Sequence, residues 1–290
     1  MTPQDFDYLR KLLRERSGLV LSAEKEYLAE SRLLPVARKN GLAGLTELVE
    51  RLRAAVHAPL SVEVVEAMTT NESFFFRDKT PFEHFRETIM PALLDARARQ
   101  KRIRIWCTAA ACGQEPYSLA MSLKIFGAKL AGWRVEIIAT DIATEVLEKA
   151  KAGIYSQFEV QRGLPIQLLV KFFSQVGEAW QIAPEIRAMV DFRPLNLLND
   201  FSSLGTFDLV FCRNVLIYFG QDTKIGVLNR LARQMPADGF LVLGAAETVV
   251  GLTDAFKQMA DKRGLYMPNA AAKSIARPAP SNVLKFAAKA

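Results

Sequence analysis

Cysteine and histidine are scarce in this chain. Its 290 residues include three cysteines, Cys107, Cys112 and Cys212, and two histidines, His57 and His84. The cysteines are odd in number and are not closely paired, which argues against a disulfide framework, and so few possible ligands argue against a zinc site. We therefore expect no bound metal, and we interpret the cysteines as small buried side chains in a reducing compartment.

Long apolar runs and a secretion signal are also missing. No stretch approaches the roughly 18 uninterrupted apolar residues of a membrane span, and the first residues lack the basic start and apolar run of a secretory signal. Half of the chain is nonetheless hydrophobic and 24% is charged, so it can bury a sizeable core in one or two domains. We expect a cytoplasmic monomer that does not insert into a membrane.

Positive charge is in excess, but it is unevenly placed along the chain. The formal net charge is +7, and four basic residues without an acidic counterpart lie in the Ala- and Pro-rich stretch 269–290. We predict that this stretch is a disordered basic tail. The rest of the chain then carries a net charge of +3, which does not require a polyanionic partner, so we expect no nucleic-acid binding.

The spacing of apolar residues changes after the first 70 positions. Within residues 1–70, apolar side chains such as Phe6, Leu9 and Leu13 recur at helical spacing, and no strand pattern occurs. We predict an N-terminal all-α domain over 1–70, followed over 71–100 by a linker with a helix that Pro91 interrupts.

From residue 101 to 268, short apolar segments alternate with helical ones. The segments "IRIWC", "RVEIIATD" and "FDLVFC" have the pattern of buried strands, and "EPYSLAMSLKIF" and "DTKIGVLNRLARQM" have that of helices. Such alternation is typical of an α/β fold with a doubly wound, mostly parallel sheet. Residues 150–188 break the rhythm, and we predict an insertion there.

Polar residues follow four of the predicted strands, where loops lead into helices. They are Glu115 after "IRIWC", Asp141 at the end of "EIIATD", Asn196 at the end of "DFRPLN", and Arg213 with Asn214 at the end of "LVFCRN". Ligands of doubly wound sheets bind outside the carboxyl ends of the strands, so we expect these residues to converge on one pocket. An acid after the second strand can accept two hydrogen bonds from a ribose.

The glycine pattern narrows the choice of cofactor. The loop "TAAACGQEP" contains one glycine and is not G-x-G-x-x-G, and a G-x-x-x-x-G-K-[ST] loop is absent. These patterns favour an adenosine cofactor without phosphates, with S-adenosylmethionine as the leading candidate and NAD as a weaker one. Taken singly, Asp141 and Asn196 could be helix or turn caps, and Glu115 could be a first-turn acid that complements the helix dipole.

Five motifs occur in a fixed order along the chain. They are "TTNESFFFRD", "AAACGQEPYSLA", "ATDIATEVLEKA", "FRPLNLL" and "FDLVFCRNVLIYF". Together they resemble the bacterial chemoreceptor glutamate methyltransferases, the CheR family, over residues 1 to about 268. The resemblance implies an N-terminal all-α domain joined to a class I S-adenosylmethionine-dependent methyltransferase domain. That domain would be Rossmann-like, with a small antiparallel β insertion that we place at about 150–188.

The resemblance also implies a reaction and a set of site residues. S-adenosylmethionine would be the methyl donor, leaving S-adenosylhomocysteine, and the acceptors would be glutamate side chains on the cytoplasmic signalling helices of membrane chemoreceptors. Carried over position by position, the cofactor contacts are Asn71, Ser73, Arg77, Glu115, Asp141, Asn196, Leu197, Arg213 and Asn214. The catalytic residues would be Arg77 and Tyr218, which would hold the acceptor oxygen by hydrogen bonds.

Two positions depart from the family pattern. Ser73 stands where threonine is common, which keeps the hydroxyl, and Gln114 precedes Glu115 where the family usually has two acids, which leaves one carboxylate.

Some family members dock a receptor's C-terminal pentapeptide on the β insertion. We interpret the phenylalanine run at 74–76 as an anchor for the segment between the domains and as a wall of the pocket.

Two alternatives of other kinds stay open. One is a methyltransferase that acts on nucleic acid or on a small molecule, although the modest charge of the folded portion disfavours a basic groove. The other is a noncatalytic signalling adaptor of the same fold that binds the cofactor, which the presence of Arg77 and Tyr218 disfavours. An acidic receptor helix bundle could meet two basic stretches of the first domain: one with Arg10, Lys11, Arg14 and Arg16, and another with Arg51 and Arg53. Residues 1–70 hold ten basic and ten acidic side chains, so solvated helix faces explain them equally well.

Overall fold

The computed structural model describes residues 1–54 and 59–271 of the chain. The predicted tail at 269–290 lies outside the described residues except for its first three positions, and His57 lies outside them as well. Within the described ranges, no helix is long and apolar enough to cross a membrane.

The N-terminal domain is built from helices. They are α1 Pro3–Ser17, α2 Glu26–Lys39, α3 Leu45–Ala54 and α4 Pro59–Met68. Helix α1 begins with a capping box, in which the Thr2 hydroxyl accepts from the Asp5 amide and the Asp5 carboxylate accepts from the Thr2 amide. It ends at Gly18, whose φ of 77° is the left-handed conformation that favours glycine. The apolar faces, including Leu9 and Leu33, meet in a core of their own.

A helical segment joins the two domains. It consists of α5 Thr80–His84, a π-helical turn at Phe85–Ile89, and α6 Met90–Ala96. The α-helix is interrupted directly before Pro91, which lies in the first turn of α6, although the helical path continues through this residue. The Met90 amide donates to the Phe85 carbonyl five residues back. This wider turn lies directly before Pro91, the position where the backbone lacks a donor.

The strands form two sheets. They are β1 Arg102–Cys107, β2 Arg134–Asp141, β3 Ile154–Ser156, β4 Phe173–Val176, β5 Ala179–Ile182, β6 Val190–Pro194, β7 Leu209–Cys212, β8 Phe240–Leu243, β9 Phe256–Gln258 and β10 Leu265–Pro268. The remaining helices are α7 Gln114–Phe126, α8 Thr144–Ala152, α9 Gln157–Gln161, α10 Ile166–Phe172, α11 Pro184–Arg187 and α12 Gln221–Arg233.

The main sheet has the order β6-β2-β1-β7-β8-β10-β9. Its first five strands are parallel, and β10 runs antiparallel to both β8 and β9. Alternate side chains of β1 enter different cores, since Ile105 packs in one apolar cluster and Trp106 in the other. From β1 the strand order continues to β2 and β6 on one side and to β7 and β8 on the other. The topological switch point, where doubly wound folds bind ligands, therefore lies between β1 and β7.

The insertion is a three-stranded antiparallel sheet in the order β3-β5-β4, which spans residues 154–182. It packs directly on the phenylalanine run. The Phe75 ring lies 5.0 Å from that of Tyr155 and 5.6 Å from that of Phe173, both edge to face. Gly163, at φ 85°, approaches so closely that a Cβ there would overlap the Phe75 carbonyl oxygen.

The phenylalanine run anchors the segment as predicted, but it does not line the pocket. Phe75 is fully buried against the insertion, and Phe76 packs at 5.1 Å on Phe82 of α5. The polar flanks of the run face the pocket, and the rings lie behind them. Three consecutive aromatic side chains cannot all point the same way, so the run divides between the insertion and the linking helix.

Candidate active site

An open cleft lies at the carboxyl ends of β1, β2, β6 and β7. Its non-atom space, with the open solvent at its mouth included, is about 930 Å³. All of the residues predicted for the site line it, although they come from well-separated parts of the chain. They are Asn71, Ser73, Arg77, Glu115, Asp141, Asn196, Leu197, Arg213, Asn214 and Tyr218. The structure therefore brings the predicted residues together, and the role of each one stays a prediction.

Glu115 and Arg213 form a buried ion pair at the base of the cleft. The Arg213 guanidinium donates to the Glu115 carboxylate at 2.7 Å, to the Asp78 carboxylate at 2.8 Å and to the Arg77 carbonyl at 2.9 Å. Burial raises the pKa of the Glu115 carboxyl, and the neighbouring guanidinium opposes that rise. Arg213 therefore links the first turn of α7 to the backbone of the segment that carries Arg77.

Asp141 has the capping role considered for it from the sequence, and its contact with the cofactor stays a prediction. Its carboxylate caps the loops beside it, accepting from the Ala111 amide at 2.8 Å and from the Ala143 amide at 3.0 Å. Burial raises the pKa of the Asp141 carboxyl, and these amides oppose the rise. Each carboxylate oxygen has a second lone pair, so the cap leaves capacity for hydroxyl groups in the cleft.

Asn196 connects the two domains. Its amide nitrogen donates to the Arg16 carbonyl at the end of α1, at 2.6 Å, and its side-chain oxygen accepts from the Leu198 amide at 2.9 Å. The predicted cofactor contact thus also has a structural task. The N-terminal domain contributes Ser17 and Leu19 to the lining of the cleft, which the sequence did not predict.

Arg77 is held by its own segment, which the insertion contacts in turn. Its guanidinium donates to the Glu72 carbonyl at 3.0 Å and lies 5.5 Å from the centre of the Phe74 ring. Arg162 of the insertion donates to the Glu72 carboxylate at 2.7 Å and lies 4.5 Å from the same ring. Arg77 is therefore half-buried in the cleft wall, and one of its guanidinium nitrogens donates a hydrogen bond within its own segment.

Tyr218 is half-buried in the cleft wall and is held through its backbone. Its carbonyl accepts from the Val20 amide at 2.9 Å, and the next residue, Phe219, forms an isolated β-bridge with Leu19. Gly18 makes this approach possible, because a Cβ there would lie 3.0 Å from the Phe219 ring. The end of α1 is therefore part of the support of Tyr218.

Comparison with protein families settles what kind of protein this is. The model described as "CheR methyltransferase, all-alpha domain" matches residues 4–69, and "CheR methyltransferase, SAM binding domain" matches residues 71–265. The chain belongs to the CheR methyltransferase family. The resemblance found in the sequence is confirmed, and so is the fold class: a class I methyltransferase fold with an antiparallel insertion and an N-terminal all-α domain.

Relatives of this CheR protein align with it along most of their length. Chemotaxis protein methyltransferase 1 of Pseudomonas aeruginosa is 41% identical over 267 residues, covering 90% of this chain and 96% of that protein. Chemotaxis protein methyltransferase Cher2 of Pseudomonas putida is 38% identical, with coverage of 90% and 96%. Chemotaxis protein methyltransferase 1 of Vibrio cholerae is 38% identical, with coverage of 91% and 96%.

Solved structures resemble the chain more distantly. One is the glycopeptide N-methyltransferase MtfA complexed with sinefungin, which is 11% identical with a TM-score of 0.37 and covers 68% of this chain and 59% of that one.

S-adenosylmethionine is the cofactor of this CheR domain, and the cleft suits it. The carboxylates of Glu72, Glu115 and Asp141 line the cleft together with the guanidinium groups of Arg77 and Arg213, and Arg213 is already engaged by Glu115 and Asp78. The carboxylates can accept hydrogen bonds from the hydroxyl and amine groups of such a cofactor. The predicted preference for a phosphate-free adenosine cofactor is confirmed by the family.

The described residues contain no evident binding site for a metal ion. In the ranges 1–54 and 59–271, no group of three or more His, Cys, Asp or Glu side chains could hold an ion. The three cysteines carry free thiols; Cys107 and Cys212 are buried as expected, but Cys112 is only half-buried. Burial raises the pKa of all three thiols, so none has the character of an activated nucleophile.

Two supporting residues were missed from the sequence. Arg32 of α2 donates to the carbonyls of Met68 and Thr69, both at 2.8 Å, and so fixes the path from α4 into the cleft. Glu247, just after β8, binds the backbone of the loop that follows Arg213. An acid four residues after the apolar run Phe240–Leu243 was a readable signal for Glu247, whereas no local pattern marks Arg32.

Proposed function

We propose that this CheR protein transfers methyl groups from S-adenosylmethionine to glutamate side chains on the signalling helices of bacterial chemoreceptors, in the cytoplasm. Its relatives are named chemotaxis protein methyltransferases, which supports a receptor substrate. One observation carries the proposal. Arg77 and Tyr218, two donors suited to an anionic acceptor, line the same cleft as the buried carboxylates Glu115 and Asp141.

The acceptor needs no deprotonation. A glutamate side chain has a reference pKa of about 4.3 and is a carboxylate at neutral pH. S-adenosylmethionine, when bound, supplies an electrophilic methyl group on a positively charged sulfur. The carboxylate oxygen would bond to that carbon as the carbon–sulfur bond breaks, so both charges would disappear, leaving a methyl ester and the neutral thioether S-adenosylhomocysteine. The task of the protein is therefore to hold the acceptor oxygen in line, and a general base is not required.

The donors at the cleft wall match this task. Nη1 of Arg77 is engaged by the Glu72 carbonyl, which leaves other N–H groups of the guanidinium for a carboxylate. Tyr218 adds a neutral hydroxyl donor. A cation paired with a neutral donor orients the acceptor without the heavy ground-state stabilisation that would slow transfer. Glu115 and Asp141 would hold the amine and hydroxyl groups of the cofactor.

Recognition of the receptor by the first helix receives limited support. Arg10 donates to the Asp7 carboxylate at 3.0 Å and to the Leu21 carbonyl at 2.8 Å, and Lys11 lies 3.9 Å from the Glu15 carboxylate. These side chains have partners within the domain, which favours the solvated helix face over a dedicated acidic-helix site. The proposal therefore depends on the cleft and not on this surface.

The test is transfer of labelled methyl groups to receptor-containing membranes of the same cell. We expect label in receptor bands that mild base releases as methanol, because carboxyl esters are base-labile. Label in RNA or in a small molecule, with none in receptors, would contradict the proposal. Cofactor binding without transfer to any receptor would instead support the noncatalytic adaptor.

A further inference from the structure

Glu247 lies behind the cleft wall, in the loop after β8. The residue is 9% exposed, yet its side chain carries a carboxylate. Five backbone amides donate to that carboxylate. They belong to Asn214 at 2.8 Å, Val215 at 3.0 Å, Leu216 at 2.7 Å, Ile217 at 3.3 Å and Gly244 at 2.8 Å. Four of these donors are consecutive residues of a single turn.

A turn of this kind needs an acceptor. Four consecutive amides that point inward form a concave donor cluster, which is stable only when an anion or several acceptors occupy it. Asn214 also has a φ of 58°, a left-handed conformation that is uncommon outside glycine. The Glu247 carboxylate therefore holds a backbone path that residues 214–217 would not readily keep alone.

The turn connects two predicted site residues. Arg213, which pairs with Glu115, directly precedes it, and Tyr218 directly follows it. On its far side the turn is held by the Val20 amide, which donates to the Tyr218 carbonyl at 2.9 Å. The Glu247 carboxylate thus holds residues 214–217, and the N-terminal domain holds Tyr218 through Val20.

We infer that Glu247 is a positioning residue of the cleft, which sets where Arg213 and Asn214 meet the cofactor and where Tyr218 meets the acceptor. The inference for Tyr218 rests on the proposed function, whereas that for the cofactor does not. The space around the carboxylate supports this role. A Cβ at Gly244 would lie 2.7 Å from a Glu247 carboxylate oxygen and 3.0 Å from the Asn214 amide. Gly244 therefore packs closely against both the carboxylate and the turn that it binds.

The first test is Glu247→Gln, which keeps the shape but places an NH₂ group against backbone donors. We expect turnover at saturating cofactor to fall by about 10²-fold, as when a catalytic group is misplaced by 1 Å. We also expect binding of S-adenosylhomocysteine, measured by calorimetry on folded protein, to weaken by roughly 10-fold, since the same turn carries Asn214. Gly244→Ala crowds the Glu247 carboxylate and the Asn214 amide without removing the acid. It should lower turnover and binding of S-adenosylhomocysteine less than Glu247→Gln does.

Two controls separate positioning from stability. Glu87→Gln makes the same chemical change at an exposed side chain and should leave turnover and binding unchanged. Leu93→Ala opens a cavity at a buried position outside the cleft lining and should lower the melting temperature while folded protein keeps normal turnover and binding.

The outcomes decide between the roles. The inference is overturned if Glu247→Gln and Gly244→Ala behave like Leu93→Ala, losing melting temperature but keeping normal affinity for S-adenosylhomocysteine. If Glu247→Gln does not fold, the Gly244→Ala result decides alone. A wild-type protein that fails to methylate receptors would refute the proposed function, and the calorimetric measurement would still decide the inference for Glu247.

Discussion

Individual side chains in the cleft are fixed mainly by backbone groups. The Asp141 carboxylate accepts from two amides, Arg77 donates to a carbonyl, and Arg213 donates to a carbonyl and two carboxylates. Such bonds restrict side-chain motion before a ligand arrives, which is how an enzyme lowers the entropy cost of orienting its substrate. Among these side chains, the Arg77 guanidinium is the group that we propose for orienting the acceptor.

We predict that Arg77→Ala lowers turnover by about 10²-fold or more at saturating cofactor, because the acceptor carboxylate loses its charged donor. Steady-state methylation of receptor fragments measures this change. Arg86→Ala is a matched control, since Arg86 is an exposed side chain outside the cleft lining. Equal turnover of Arg77→Ala and the wild type would remove Arg77 from the mechanism.

Site residues differ in how far the sequence reveals them. Asp141 and Asn196 were predictable because parallel strands bring their carboxyl ends to one edge of the sheet. The family pattern supplied Arg77 and Tyr218. Arg32 was not predictable, because its partners are backbone carbonyls, which every residue possesses and which therefore leave no pattern in the sequence.

At the scale of elements, the β insertion supports the segment that carries Arg77. Phe75 lies among aromatic rings of the insertion, and Arg162 contacts both Glu72 and the Phe74 ring. The sequence indicated the insertion only as a break in the strand-helix rhythm. Its contact with the phenylalanine run could not be predicted, because it joins residues about 90 positions apart through packing rather than a motif.

Gly163 provides the test of this contact. Gly163→Ala would push the insertion away from the Phe75 carbonyl, so we expect turnover to fall by about 10-fold or more through displacement of Arg77. Gly177→Ala is the matched control, because Gly177 also has a positive φ, 61°, but a Cβ there meets nothing within 4 Å. Left-handed strain should cost each variant about 1–2 kcal/mol of unfolding free energy, and the overlap with the Phe75 carbonyl should add to this cost in Gly163→Ala. Equal turnover in the two variants would show that the contact does not support the active segment.

At the scale of the whole molecule, the cleft belongs to both domains. Ser17 and Leu19 line it, Asn196 donates to the end of α1, and the Glu66 carboxylate of α4 accepts from the Thr144 amide at 3.0 Å at the start of α8. Hydrophobic periodicity predicted both domains but not their docking, since the side chains that join them follow no periodic pattern.

Gly18→Ala tests the contribution of domain docking. The new Cβ would lie 3.0 Å from the Phe219 ring and would press α1 away from the Tyr218 loop, so we expect turnover to fall about 10-fold. Gly41→Ala is the matched control, with a φ of 70° and nothing within 4 Å of the Cβ position. Each substitution should cost about 1–2 kcal/mol of unfolding free energy, measured by urea denaturation. Identical turnover in both would mean that docking leaves the active loop unaffected.

We propose that the cleft joins a sulfonium methyl group to a carboxylate held by Arg77 and Tyr218. The decisive experiment is peptide mapping by mass spectrometry of a purified receptor signalling fragment after incubation with this protein and S-adenosylmethionine. We predict base-labile methyl esters on glutamate side chains, and far fewer with Arg77→Ala. Absence of any ester, or a base-stable methyl group on another type of side chain, would contradict it.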